Sequence, residues 1–396
     1  MQQAYIVSAV RTPIGRFGGG LAELSPADIG AHAIKAALAK SNVPPEALDL
    51  YIFGNVLGAG HGQLVPRQAA LKAGVPASVD GYRIDMVCSS GMMSLINAAR
   101  TIRAGDADLV LAGGMESMSQ TGFYLSHRAR WGYKFLLGAP EQLSDLLLND
   151  GLTDATASEG MGVQVDRLCV DRGVSRAELD AVAAESHIRA ATATEKGYFK
   201  NEIAPIEIRV KKETKIIDTD EGIRPDSSAA SLGKLRPAFN PEGALTAGNS
   251  SQISDGAAAL ILASEKAIKE YGLTPIAKVI GGTLAGGETW RFPEYPVHAV
   301  KKLLETHKMQ ISDFDLFENN EAFALNNILF ERDLKVAHDQ QNIYGGAIAI
   351  GHPIGASGAR VVVTLLNALT VENKTRGLAA ICHGTGGGTA FAVERV

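Results

Sequence analysis

The chain is poor in cysteine, with three in 396 residues and no CxxC pair. Three widely spaced thiols cannot build a disulfide framework, so a reducing compartment, the cytoplasm, is the expected setting. Basic charge is not in excess: 38 Lys and Arg against 43 Asp and Glu give a net charge of -5. Phosphate binding needs a concentrated basic face, which excludes nucleic acid as the main partner. Long apolar runs are missing too. The longest, AAALILA and RVVVTLL, fall far short of the roughly 20 residues that cross a bilayer, so no membrane span is expected. The opening MQQAYIVSAVRTPIGRF has no basic segment followed by a long apolar one, and no signal peptide is expected.

What remains is a chain built to fold. With 46% hydrophobic residues it can bury large cores, and its length suits two or three domains. Its 43 glycines gather beside the apolar strands rather than in a linker, as tight strand-to-helix turns require.

An internal repeat organises the sequence. Residues 31–55 lie without gaps on residues 297–321, pairing His32 with His298, Asp49 with Asp315 and Leu50 with Leu316. Each copy reads as an amphipathic helix, a polar connection and an apolar strand. The repeat continues, first as strand YRIDMV, Cys88, a helix and strand DLVLAGG. Its second copy reads strand GGAIAI, His352, a helix and strand GLAAICHGTGG. Alternating strands and helices predict an α/β fold of largely parallel sheets, in two halves related by a pseudo-twofold axis. Residues 123–251 match neither copy and read as an insertion, the kind of segment that commonly binds substrate. The boundaries are therefore 1–122 with 252–272, then 123–251, then 273–396.

Two of the three cysteines sit where a strand meets glycine-rich backbone. Cys88, in VCSSGMMS, precedes a helix whose N-terminal amides and dipole favour thiolate and a lowered pKa. A buried structural cysteine is the alternative, but the strand–Cys–SSG–helix setting speaks against it. His352, in GHPIGASG, is held on a rigid glycine turn and suits acid–base work or donation to an oxyanion. No second histidine or carboxylate stands at ligand spacing, so no metal is expected. Cys382, in CHGTGGG, has open backbone N–H groups beside it, whereas His383 should point to the other face of its strand. Asn320 ends the strand DLFE, where it would either serve a site or cap the next helix. Cys169 has no such context and reads as structural.

Taken together, CSSG at Cys88, NEAFA at Asn320, GGAIAIGHPIGASG at His352 and CHGTGG at Cys382 resemble the four signatures of the thiolase family. RTPIGRFGG, LAGGMESMS and NSSQISDGAAA extend the resemblance over essentially the whole chain. It implies a five-layered αβαβα core with an inserted loop domain that binds coenzyme A, and commonly a homodimer or homotetramer. It further implies reversible CoA-dependent cleavage of 3-ketoacyl-CoA, or the reverse Claisen condensation, with no cofactor beyond coenzyme A. Carried over by position, Cys88 is the acylated nucleophile, activated by His352. Asn320 holds a water in one oxyanion hole, Cys382 moves the α-carbon proton, and the N–H groups of Cys88 and Gly384 form a second hole. Leu152, Met161, Arg224, Ser251 and Phe323 match positions that contact coenzyme A. An acetoacetyl-specific acetyltransferase and a non-catalytic CoA-binding protein are the alternatives.

The chain departs from the family at several places. Gly160 stands where acetoacetyl-specific members carry histidine, and Gln252 and the segment around Trp290 and Arg291 also differ. These changes predict an acyl pocket roomy enough for six to ten carbons. His383 and Thr385 stand where a plain CIGGG is more frequent.

Overall fold

The computed structural model describes residues 2–132, 142–210 and 213–396. Residues 133–141 and 211–212, all within the segment read as an insertion, lie outside them.

The first half runs β1 (Ala4–Arg11), α1 (Pro26–Ser41), β2 (Leu50–Gly54), α2 (Val65–Lys72), β3 (Asp80–Ile84), α3 (Ser90–Ala104) and β4 (Leu109–Ser117). The insertion contributes α4 (Met161–Asp171), α5 (Arg176–Glu195) and the hairpin β5 (Ile206–Val210) and β6 (Glu213–Ile217). Strand β7 (Ser254–Ser264) then returns to the first half. The second half follows as β8 (Ala277–Gly286), α6 (Tyr295–His307), β9 (Leu316–Asn319), α7 (Ala324–Leu334), α8 (Ile354–Val371), β10 (Arg376–His383) and β11 (Gly387–Arg395). Local signals place the helix starts. Ser25 caps α1 in a capping box with Asp28, and Ser175 caps α5 with Glu178.

Nine of these eleven strands form one hydrogen-bonded order, β9-β10-β11-β8-β1-β7-β4-β2-β3, with Gly15–Arg16 added beside β7. Strands β3-β2-β4-β7-β1 belong to the first half and β9-β10-β11-β8 to the second. They meet only through the two-residue pairing of Tyr5 and Ile6 with Lys278 and Ala277. Read outward from that joint, β2 answers β9, β4 answers β10 and β7 answers β11. The repeat extends to side chains. Asp49 accepts the N–H groups of Asp108 and Leu109 at 2.8 and 2.9 Å, and Asp315 accepts those of Thr375 and Arg376 at 2.9 and 2.8 Å. The same aspartate stitches the same crossover in both halves.

Two expectations need correction. The sheet is mixed rather than largely parallel. Only β2–β3, β2–β4 and β9–β10 run parallel, because β7 and β11 return antiparallel beside β4 and β10. The segment GGAIAI is not a strand. Gly345, at φ +75, and successive turns returning to the carbonyls of Gly346 and Ala347 wind it against α5. A Cβ at Gly345 would stand 2.3 Å from the Ser186 carbonyl oxygen, so only glycine permits that approach.

Helices α3 and α8 lie between the two half-sheets and pack on each other, touching strands of both halves. Their contact is backbone on backbone: a Cβ on Gly358 would lie 2.3 Å from the Met92 nitrogen. Helices α1 and α2 cover the outer face of the first half, and α6 covers that of the second. The layers are thus helix, sheet, helix, sheet, helix. Helix α8 is 18 residues long and, by length and composition, apolar enough to cross a membrane. In the fold it is 89% buried inside the protein, the middle layer of the core rather than a surface for lipid.

Candidate active site

A cavity of about 670 Å³ opens where the insertion meets both halves. Cys88 comes to it from the turn between β3 and α3. The strand ends at Ile84, and Val87, at φ +47, takes a left-handed conformation unusual for a β-branched residue. Ser90 stabilises the turn, its hydroxyl accepting the Met86 N–H at 2.8 Å and donating to the Val87 carbonyl at 2.6 Å. The expected lowering of the Cys88 pKa is not what the site does. Burial pushes the thiol up to about 12, against the backbone N–H groups of Gly384 and Cys88 itself, which favour thiolate. A helix N-terminus offers less than full desolvation removes.

His352 reaches the cavity from the turn before α8. Its main-chain N–H is anchored at 3.0 Å from the Gln252 carbonyl oxygen and 3.2 Å from Ser254 Oγ. Nδ1 lies 2.6 Å from Ser357 Oγ, and that hydroxyl donates its single proton to the Pro353 carbonyl at 2.9 Å. Ser357 can therefore only accept from the ring, which puts the proton on Nδ1 and the lone pair on Nε2. Nε2 is buried and has no hydrogen-bond partner among the described residues. Burial, aided by the Arg360 charge, lowers the imidazole to about 3. The resting pair is a neutral thiol and a neutral base.

Cys382 is next to last in β10 and wholly buried, with Asn326 Nδ2 donating to its sulfur at 3.4 Å. Burial and the nearby Cys88 push its pKa well up. Gly384 follows, its N–H directed at the Cys88 sulfur. Asn320 does not cap α7; Phe323 holds that position. Its side-chain oxygen accepts from Arg360 at 3.3 Å, which leaves the Nδ2 donor buried and unpartnered among the described residues. Cys382 and Asn320 are both fully buried and are not among the residues that line the cavity.

All five residues expected to meet coenzyme A, Leu152, Met161, Arg224, Ser251 and Phe323, line the cavity beside Cys88 and His352. Ser251 hangs on the Ala322 carbonyl at 3.0 Å, and the Arg224 N–H on His187 Nδ1 at 3.1 Å. Burial lowers His187 to about 4, which keeps it a neutral acceptor. Sequence reasoning passed over His187, Ser357, Asn326 and the cavity wall at Phe239, whose ring stands edge-on to Phe323 at 6.1 Å. Ser357, five residues after His352 in the same glycine-rich motif GHPIGASG and in the first turns of α8, was the one such residue with a signal nearby. Gly160 lines the cavity with nothing within 4 Å of where a Cβ would stand.

A buried thiol, a base aimed by its tautomer, a second thiol and converging N–H donors can carry an acyl group as a thioester and stabilise its oxyanion. Comparison with known proteins agrees. The model of the thiolase N-terminal domain matches residues 4–266, and that of the thiolase C-terminal domain residues 273–395. Over 396 residues, all of both chains, it is 64% identical to an acetyl-CoA acetyltransferase of Synechocystis sp. and 43% to one of Escherichia coli. The Acat5 thiolase of Ascaris suum in complex with coenzyme A superposes with a TM-score of 0.93 at 38% identity, each chain covered completely. Human mitochondrial 3-ketoacyl-CoA thiolase gives 0.95 at 35% identity, with 100% of this chain and 99% of that one covered. The chain belongs to the thiolase family and is an acyltransferase.

Proposed function

We propose that the chain interconverts two acetyl-CoA with acetoacetyl-CoA and free coenzyme A, by a thioester on Cys88. The observation that carries this is the Nε2 lone pair of His352, set by Ser357, in the cavity that Cys88 also lines. As Cys88 attacks the acyl carbonyl, its proton passes to His352 Nε2, and the N–H groups of Cys88 and Gly384 receive the oxyanion. Coenzyme A leaves with the proton of Cys382, which becomes a thiolate, while His352 keeps the proton of Cys88 and returns it when Cys88 is displaced. In the second half-reaction Cys382 takes a proton from the methyl of a second acetyl-CoA. The enolate oxygen is held by His352 and by a water on Asn320 Nδ2. Its carbon then displaces Cys88 from the acyl group. Thiolysis runs the same steps backward. Each donor contributes about 3–4 kcal/mol to the charge that develops.

Coenzyme A is a substrate here, held along Leu152, Met161, Arg224, Ser251 and Phe323. The apolar walls suit its pantetheine arm and Arg224 a phosphate. The division into 1–122 with 252–272, 123–251 and 273–396 makes the middle segment the CoA-binding one, supported by Leu152, Met161, Arg224 and Ser251 all coming from it. Acetyl as the group transferred is supported by the names of the Synechocystis and Escherichia coli relatives. The open space at Gly160 favours a second reading, longer 3-ketoacyl chains as in fatty acid metabolism. A cytoplasmic homo-oligomer fits three unpaired cysteines and the half-exposed edge strand β3.

Incubation with acetyl-CoA should leave an acetyl group on Cys88, read by peptide mass spectrometry. Thiolysis should be fastest with the four-carbon 3-ketoacyl-CoA. An adduct elsewhere would overturn the assignment, and equal or faster turnover at eight carbons would establish the second reading.

A further inference from the structure

Two side chains converge on the backbone of Gly384 from either side. His383 Nδ1 lies 2.7 Å from the Gly384 carbonyl oxygen, and the Thr385 hydroxyl donates to the same atom. A carbonyl only accepts, so His383 presents Nδ1–H to it. Thr385 stands at φ +67, a conformation that β-branched residues seldom take and glycine takes freely. A strained threonine in a turn otherwise made of glycine points to a task for its hydroxyl. The far end of the turn is braced separately. Gly287 N–H donates to the Gly386 carbonyl at 2.9 Å, and a Cβ on Gly386 would lie 2.8 Å from Thr289 Cα.

Gly384 is therefore the loose joint of the turn. One of its two peptide planes carries the N–H directed at the Cys88 sulfur, and the other carries the clamped carbonyl. With no side chain of its own, the glycine would let the first plane swing unless the second were fixed. A donor acts on a developing oxyanion only when it is already aimed.

We propose that His383 and Thr385 are positioning residues that hold the Gly384 N–H on the acyl group of Cys88. The inference rests on the roles given above to Cys88 and Gly384. It assigns the clamp to the thioester steps alone, because the enolate is received by His352 and Asn320, on other elements.

The test is the single-turnover rate of Cys88 acetylation by acetyl-CoA, followed by rapid quench and mass spectrometry in Thr385 and His383 variants. Thr385→Val keeps the branched shape and loses the hydroxyl, Thr385→Ser keeps the hydroxyl, and Thr385→Gly relieves the strain. We expect Thr385→Val and Thr385→Gly to acetylate about tenfold more slowly, with KM for acetyl-CoA within about twofold of the parent. Thr385→Gly should melt no lower than the parent, so its slower chemistry cannot come from a weaker fold. Thr385→Ser should stay within about threefold of the parent rate, while His383→Ala should slow it and the His383→Ala, Thr385→Val pair slow it further. Parent-like acetylation by Thr385→Val, or a serine variant as slow as the valine one, would overturn the clamp. If the parent itself gave no adduct on Cys88, the reading of the site would fail instead.

Discussion

A neutral thiol and a neutral imidazole make a different nucleophile from a preformed ion pair. With His352 lowered to about 3 and Cys88 raised to about 12, neither changes charge over the range in which enzymes are assayed. Acetylation of Cys88 should therefore be nearly independent of pH between 6 and 9, and a bell-shaped profile centred there would contradict the pairing. The tautomer depends on Ser357. Removing its hydroxyl by Ser357→Ala frees the imidazole to carry its proton on Nε2, the wrong nitrogen. We expect kcat to fall by about 10- to 100-fold with KM little changed, measured by steady-state thiolysis. Cys88, His352 and Cys382 were legible in sequence because glycine-rich turns announce them. Ser357, Asn326 and His187 were not, since their importance lies in partners that only folding brings near. The sign of the Cys88 shift was also hidden. Sequence reveals a helix N-terminus, but not how completely the thiol above it is desolvated.

At the scale of elements, the repeat was legible wherever hydrophobic period alone decides. Helices α1 and α6 and strands β2 and β9 fall where the two copies align, and Asp49 and Asp315 do the same work. The reading failed at GGAIAI, whose alternation suits a strand. Its glycines instead let the backbone close on α5, a choice made by a neighbour distant in sequence. That neighbour is held to α7 by His338, which bridges Glu331 at 2.7 Å and Glu185 at 2.6 Å. Burial would lower its pKa, but the two carboxylates outweigh burial and raise it. Its folded value thus exceeds the unfolded one of about 6.5, so the stabilisation is full below that pH and fades as pH rises through the folded value. Arg189, 2.6 Å from Glu185, competes for that carboxylate, and His338 is half exposed, so screening keeps the gain below about 1 kcal/mol. His338→Gln should lower the urea midpoint at pH 6 and leave it close to the parent's at pH 9. A gap independent of pH would mean that the contact acts by packing alone.

Across the whole molecule, the site exists only because three parts of the chain meet. Cys88 comes from the first half, His352 and Cys382 from the second, and Arg224 from the insertion, so anything that loosens the insertion should weaken coenzyme A first. One buried cluster fastens it. Arg11, on β1 and fully buried, meets Glu202 at 2.5 Å and takes Asp220 in a two-pronged contact at 2.7 and 2.9 Å. Asp220 also accepts the Ile14 N–H at 2.8 Å, and the next residue, Glu221, accepts the Gly20 N–H at 3.1 Å. Four residues beyond Asp220 the chain reaches Arg224 and the cavity. Arg11→Met nearly keeps the volume but leaves two buried carboxylates without their cation, a loss of about 3–5 kcal/mol. We expect the melting temperature to drop and KM for coenzyme A in thiolysis to rise by about tenfold, with a smaller change in kcat. Limited proteolysis should then cut within the β5–β6 hairpin before it cuts the core. A variant that melted lower yet kept the parent KM would show that Arg11 serves the fold without positioning the coenzyme A wall.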